Sequence, residues 1–339
     1  MRNFFFPLKD ASIYSELPSR TTGLDEILEV GKTDDGLNSI RSLIDFDFSA
    51  ISSSIANGAI PSNAKYDIRL FVANATKIAR NQVIQVFPLS QSWCEGSGYF
   101  YQNIVGETDG VSWKFRSSGS TWAISGATYY PSPSASGSTA VPLTDLTIDV
   151  TNLVQQFISG AYSDGFLIKY PNTDESSSAN QGDLSFFSKD THTIYLPVLI
   201  AKWDDSSYVT GSYPVAPADT LMVHPRNLAP SYKVGEQTRI DLNVRQQYPV
   251  KTFATQFTAY SGNMYLPSSS YYSVVDIQSQ EVIVPFDQYS IISTDANGSY
   301  FNLRTEKMFP RRFYKVMIKV VISEYEYIFD NNYQFTITV

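Results

Sequence analysis

The carboxylates Asp45 and Asp47 stand two residues apart in the run Leu43-Ile44-Asp45-Phe46-Asp47. On a strand this spacing puts both on one face about 7 Å apart, a separation that acid–base pairs cleaving glycosidic bonds use. The opposite face carries Ile44, Phe46 and Phe48, so the two acids read as the solvated side of a half-buried strand. Asp34-Asp35, Asp174-Glu175 and Asp204-Asp205 offer oxygen ligands, but none has the alternating spacing of a calcium loop. His192 and His224 are the only histidines, and neither has a cysteine or a second histidine at ligand spacing. Cys94, the only cysteine, has no base beside it and reads as a buried, inert thiol. No nucleophile elbow, phosphate loop or dinucleotide fingerprint occurs. The expectation is a non-enzymatic chain with no catalytic residue, no metal and no cofactor.

Aromatic side chains supply the other recognisable chemistry, because flat rings suit the apolar faces of pyranoses. Trp93, Trp113, Trp122, Tyr99, Tyr101, Tyr129 and Tyr130 are the candidates. Trp93 and Trp113 are assigned to the core, where a buried indole contributes most. Phe115, Trp122, Tyr129 and Tyr130 are assigned to contact with a partner or a glycan. They lie in the stretch 106–141, which mixes large rings with Gly, Ser and Thr as interfaces do. Arg311 and Arg312 follow the apolar Met308-Phe309-Pro310 and are placed to meet an acidic neighbour. These surfaces predict a homo-oligomer or a larger assembly.

The elements that must hold these groups are mostly strands. One stretch is helical: Val150, Leu153, Val154, Phe157 and Ile158 recur at i, i+3, i+4, i+7 and i+8, so all five fall on one face. Asp149 or Thr151 can cap its start, and Gly160 stands where a left-handed C-terminal residue is wanted. Around it, Asp10–Tyr14, Ile27–Lys32, Ser39–Phe48, Tyr66–Ala73, Gln82–Phe87, Phe166–Tyr170, Phe186-Phe187 and Ile194–Lys202 read as strands, and 90–138 as mostly loop. A lone helix among strands predicts a jelly-roll-like sandwich over residues 1–205. The Gly-, Ser- and Pro-rich segment 206–220 reads as a linker. Beyond it, the alternation of Arg239–Val244, the strands from Tyr271 onward and the Asn297-Gly298 hairpin signal predict an immunoglobulin-like sandwich over 221–339. The fold class is therefore all-β.

Composition agrees, with 23 Tyr, 21 Phe and only 17% charged residues. A net charge of −8 gathers no phosphates, so no nucleic acid is expected as a partner. No stretch approaches the length of a membrane span, and the opening Met1–Asp10 run is too short for a signal-peptide core. Synthesis in a host cytoplasm without secretion is the corresponding expectation.

Seven motifs in order then carry a resemblance. Asp10-Ala11-Ser12-Ile13-Tyr14, Leu28-Glu29-Val30-Gly31, Ile68-Arg69-Leu70-Phe71-Val72, Ser92-Trp93-Cys94-Glu95-Gly96, Asp149-Val150-Thr151, Gly165-Phe166-Leu167-Ile168-Lys169 and Leu196-Pro197-Val198-Leu199 resemble the DNRLRE family over roughly residues 5–205. That family is a jelly-roll domain related to carbohydrate-binding modules, found in microbial surface proteins and tailed-phage virions. The long 106–141 insertion departs from it. The resemblance implies a structural component of a tailed-phage virion, in the capsid, neck or tail, contacting other virion proteins. The alternative is a carbohydrate-binding module that attaches to a glycan.

Overall fold

The computed structural model describes residues 1–33, 35–76, 81–101, 109–139, 144–179, 181–216, 221–248, 263–322 and 324–339. The chain divides into an N-terminal unit, Phe4–Ala201, and a C-terminal unit, Lys202–Val339 with Met1–Asn3. The protein is all-β.

The N-terminal unit and the strands through which the chain enters and leaves it comprise β1 (Arg2–Phe5), β2 (Pro7–Tyr14), β3 (Ile27–Lys32), β4 (Ser39–Phe46), β5 (Lys65–Leu70), β6 (Val72–Thr76), β7 (Val83–Pro88), β8 (Phe115–Ser117), β9 (Ser120–Thr121), β10 (Ala135–Ser138), β11 (Leu146–Asp149), β12 (Phe166–Lys169), β13 (Asp183–Phe187) and β14 (Val198–Lys202). The larger sheet runs β10-β7-β12-β4-β3-β13-β6, with β2 also on β4; the smaller runs β1-β14-β5-β11. This is a jelly-roll-like sandwich. Its helices are α1 (Phe48–Ala56), α2 (Thr151–Ile158) and the single turn α3 (Asn172–Glu175), so the expected lone helix has company.

The amphipathic α2 forms as its spacing predicts. Val150, Leu153, Val154 and Phe157 are buried, while Ile158 at the end of the face is only half-buried. The Asp149 carboxylate accepts the Thr151 amide at 2.9 Å, and Gly160 adopts φ 82° just past the end. Against α2 packs α1, a Ser-rich helix that begins at Phe48, the expected last residue of a strand. Asp47 caps it by accepting the Ala50 amide at 3.0 Å, and Phe48 stacks on Phe157 with ring centroids 4.1 Å apart.

Every residue of β12 is buried. Phe166 meets the rings of Phe46, Phe48 and Phe157, whereas its neighbour Leu167 belongs to a cluster with Leu43, Phe87, Trp93, Val111 and Trp122. Successive strand residues point to opposite faces, so the large sheet is covered on both sides. Helices α1 and α2 cover one side, and Trp93, Val111, Trp122 and Ala127, with Trp113 and Tyr129 packed against them, cover the other. Residues of the stretch 90–138, expected as mostly loop, therefore form a second cover of the core, and β10 from its end pairs in register with β7.

The C-terminal unit is a two-sheet sandwich of β15 (Leu221–Pro225), β16 (Ser231–Lys233), β17 (Gln237–Gln246), β18 (Ser270–Asp276), β19 (Val282–Val284), β20 (Ser293–Asp295), β21 (Gly298–Arg304), β22 (Phe313–Ile322) and β23 (Tyr325–Thr338). The sheets run β15-β17-β21-β20 and β16-β23-β22-β18-β19. Ile240, Leu242 and Val244 are buried as their alternation predicts, and Tyr272 stacks on Phe301 of the other sheet at 4.3 Å. The hairpin signalled by Asn297-Gly298 joins β20 to β21, with Asp295 opposite Gly298.

The segment from 206, expected as a linker, is packed onto this unit up to Ala216. Tyr208 bridges to Thr294, the Gly211 amide donates to the Tyr265 hydroxyl at 2.8 Å, and the Ala216 amide donates to the Tyr265 carbonyl at 2.8 Å. Residues 217–220 of the expected linker lie outside the described residues. Met1 joins the same unit: its ammonium donates to the Trp203 carbonyl at 2.7 Å and pairs with Asp205 at 3.3 Å.

Candidate functional site

In β3, Leu28 and Val30 turn into the core, which sends Ile27 and Glu29 to the other face. The register continues this face sideways: Glu29 lies opposite Ser185 of β13, and Ser185 opposite Asn74 of β6. A row of three polar side chains thus crosses three strands as the floor of a cleft of about 540 Å³. Tyr14, at the end of β2, forms one wall; its hydroxyl donates to Glu29 at 2.8 Å and its ring packs 4.7 Å from Phe100.

The segment 98–101 closes the cleft. It is anchored on the turn before β3, where the Leu24 amide donates to the Gly98 carbonyl at 3.1 Å. The Phe100 amide donates to both Asp25 oxygens, at 3.0 and 3.2 Å, and Arg20 Nη1 donates to the Phe100 carbonyl. These bonds leave Tyr99 and Tyr101 at the rim, with Tyr101 93% exposed. Burial pushes the Asp25 carboxyl up to about 6; the Phe100 amide opposes this, Glu29 adds to it and Arg20 opposes it. Burial, together with Glu29, also raises the Tyr14 hydroxyl well above its ordinary value. The arrangement presents ring faces, hydrogen-bonding groups and carboxylates to one small ligand.

A second acidic group lies deeper in the same unit. Asp10, Glu95 and Asp190 bring carboxylate oxygens within 4.8 Å of one another. The Asp10 amide donates to Glu95 at 2.7 Å, and the Lys189 amide donates to Asp10 at 2.8 Å. The Lys189 ammonium sits 3.4 Å from Glu95 and 2.8 Å from Asp190, so a side chain of the protein itself supplies the cation. The chain is laid bare here: a Cβ on Gly23 or on Gly110 would come within 2.3 Å of the Glu95 carbonyl oxygen, so both positions need the missing side chain.

Asp10 is 1% exposed, and burial pushes its carboxyl up to about 8; the Lys189 amide and charge oppose this, while Glu95 and Asp190 reinforce it. Between the unfolded value near 3.8 and about 8, the folded state holds a proton that the unfolded chain has released. Stability therefore falls as pH rises through this window, by at most about 1.4 kcal/mol per pH unit for one proton. Burial also raises Glu95, with the same sign. Thermal unfolding should show the melting temperature of the N-terminal unit declining from pH 5 to pH 8. Asp10→Asn, which keeps an acceptor for the Lys189 amide, should flatten that decline. Equal slopes in wild type and variant would contradict the assignment.

The structure redistributes the residues singled out from the sequence. Asp45 is buried rather than solvated and lies 3.4 Å from Lys9; burial raises its carboxyl, opposed by Lys9. Asp47 is spent on capping α1. Glu175 accepts Arg41 through two 2.8 Å bonds and pairs with the fully buried Lys169 at 2.8 Å, so it is a structural anion. Cys94 is exposed, contrary to the buried thiol expected. Trp93 is buried as expected, donating to the Asp164 carbonyl at 2.9 Å, and Trp113 is half-buried beneath Arg41 at 4.8 Å.

Trp122 corrects the expectation of a partner contact. It is 4% exposed and donates Nε1–H to the Ser112 carbonyl at 3.0 Å, because this indole roofs the outer face of the large sheet. Half-buried Tyr129 packs on Phe87 at 4.8 Å for the same reason. Phe115 is half-buried in β8, and Tyr130 is 41% exposed beside Tyr162. Arg312 is tied to the buried Asp276 through Nη2 at 3.0 Å, which removes it from the expected encounter with an acidic neighbour; Arg311 is exposed. Of the flat aromatics, Tyr99 and Tyr101 reach the cleft. Tyr14, Asp25, Glu29, Asn74 and Ser185 escaped sequence reasoning, although the outward position of Glu29 in an alternating strand was a usable signal.

No protein-family model matches the chain, and no curated protein does. Among solved structures, one of a DUF4785 family protein from Legionella pneumophila subsp. pneumophila str. Philadelphia 1 matches at 8% identity, covering 100% of this chain and 62% of that one with a TM-score of 0.20. Among the described residues no helix is long and apolar enough to cross a membrane.

Proposed function

We propose that this chain is a non-enzymatic component of a tailed-phage virion and that the cleft of its N-terminal unit holds a saccharide. The observation that carries the binding role is the cleft itself, where the rings of Tyr14, Phe100, Tyr99 and Tyr101 border the polar row Glu29, Ser185 and Asn74. Flat apolar faces beside hydrogen-bonding groups are what a pyranose presents in complement. The virion setting is supported by the ordered motifs that resemble the DNRLRE domain. Assembly with other virion proteins, or with further copies of the chain, would use exposed groups such as Tyr130 and Arg311.

A glycan array followed by calorimetric titration tests the binding role. Tyr101, 93% exposed and free to change without disturbing the core, is the informative position. Tyr101→Ala should weaken the best saccharide by roughly tenfold, the scale of one lost ring contact of about 1.5 kcal/mol. The saccharide should be recovered uncleaved. An array with no ligand, or turnover of the bound sugar, would overturn the reading. A map of the intact particle that lacks this chain would overturn its virion setting.

A further inference from the structure

We infer that the cleft selects saccharides carrying a positively charged amino group. This rests on the saccharide reading above and makes it specific. Three carboxylates, Asp25, Glu26 and Glu29, line the cleft, and no lysine, arginine or histidine lines it among the described residues. The cations nearby stand outside this lining, although the charge of Arg20 reaches Asp25. Arg20 donates to the Phe100 carbonyl behind the rim, and His192, 89% exposed, stands outside at 3.5 Å from Glu26. An acidic sugar entering this space would meet the like charge of three carboxylates, a strong means of rejection. A neutral sugar would leave the carboxylates to lose water for little return.

An ammonium on the sugar ring reverses both effects. It supplies three donors to carboxylate acceptors that line the same wall. The ring faces of Tyr14, Phe100 and Tyr101 add attraction for a cation, because each carries negative charge above its plane. A lysine side chain would satisfy the carboxylates but would bring no broad apolar face for the exposed ring of Tyr101. An amino sugar uses the rings and the acids together.

The test compares four probes on the full chain at physiological salt: a glucosamine oligosaccharide, its fully N-acetylated counterpart, a uronic acid oligosaccharide of equal length, and tetralysine. The glucosamine oligomer should bind at least tenfold more tightly than the N-acetylated one, and the uronic oligomer and tetralysine should bind more weakly still. Glu29→Gln, in which the amide oxygen can still accept the Tyr14 hydroxyl, should reduce the tenfold preference to under threefold. Should that variant fail to fold, Glu26→Gln at the rim should reduce it in part. Equal or tighter binding of the N-acetylated oligomer would overturn the charge preference while leaving the saccharide reading in place. Tetralysine binding as tightly as the glucosamine oligomer would overturn recognition of the ring. Binding of none of the probes would overturn the preference, and an array without any ligand would take the saccharide reading with it.

Discussion

Phe157→Asp is expected to leave the N-terminal unit unfolded at 25 °C. Phe157 is 4% exposed and lies at the meeting point of three rings: Phe48 at 4.1 Å, Phe166 at 4.9 Å and Tyr162 at 5.6 Å. Losing a buried phenylalanine costs about 3–5 kcal/mol. A carboxylate placed there without a partner adds several more, against a total stability of about 5–15 kcal/mol. Phe157→Leu keeps an apolar group and serves as the control, with a loss several-fold smaller. Circular dichroism and thermal melting read both. A Phe157→Asp protein melting like the wild type would mean that α2 does not anchor the core.

Trp122→Ala should destabilise the same unit by about 3–5 kcal/mol, the usual cost of emptying a buried tryptophan site. The indole packs into the cluster of Leu43, Phe87, Trp93 and Leu167 and ties its nitrogen to Ser112. Truncation therefore removes apolar contact and leaves the Ser112 carbonyl without its donor. Denaturant titration should show a lower midpoint with an unchanged slope. Deleting residues 117–138 should be worse, since it takes Trp122, Ala127 and all of β10 together. A folded, stable deletion variant would show that this segment is an appendage and not a cover of the sheet.

Both expectations concern places where one-dimensional patterns spoke unequally. Helix α2 was legible because five apolar residues share one face, and β17 because Ile240, Leu242 and Val244 alternate with polar neighbours. Helix α1 was not, because Ser49, Ser52, Ser53 and Ser54 dilute its apolar face to Phe48, Ile51 and Ile55, and Asp47 looks like a strand residue until it is seen capping. The cover formed by Trp93, Val111, Trp122 and Ala127 has no period at all, so rings that cover a sheet looked like rings awaiting a partner. The partners of the acids were hidden for a related reason. Glu175 finds Arg41 134 positions away, and Asp10 finds Glu95 85 positions away. The cleft likewise joins Tyr14, Asp25, Asn74, Tyr99 and Ser185, which only strand register and the turn around Asp25 bring together.

The bare-backbone junction at Glu95 also sets what sequence drift can do to this fold. Gly23 and Gly110 press on the same carbonyl, and a Cβ on Gly98 would meet the Thr21 hydroxyl oxygen at 2.0 Å, so these three positions admit no side chain without moving the main chain. Tyr99 and Tyr101 follow directly along the strip that the junction clamps. A lineage can exchange those two rim residues by single substitutions and so alter what the cleft accepts, while the clamp that presents them stays glycine. Divergent descendants should differ first at the rim, with the three glycines persisting as their shared mark.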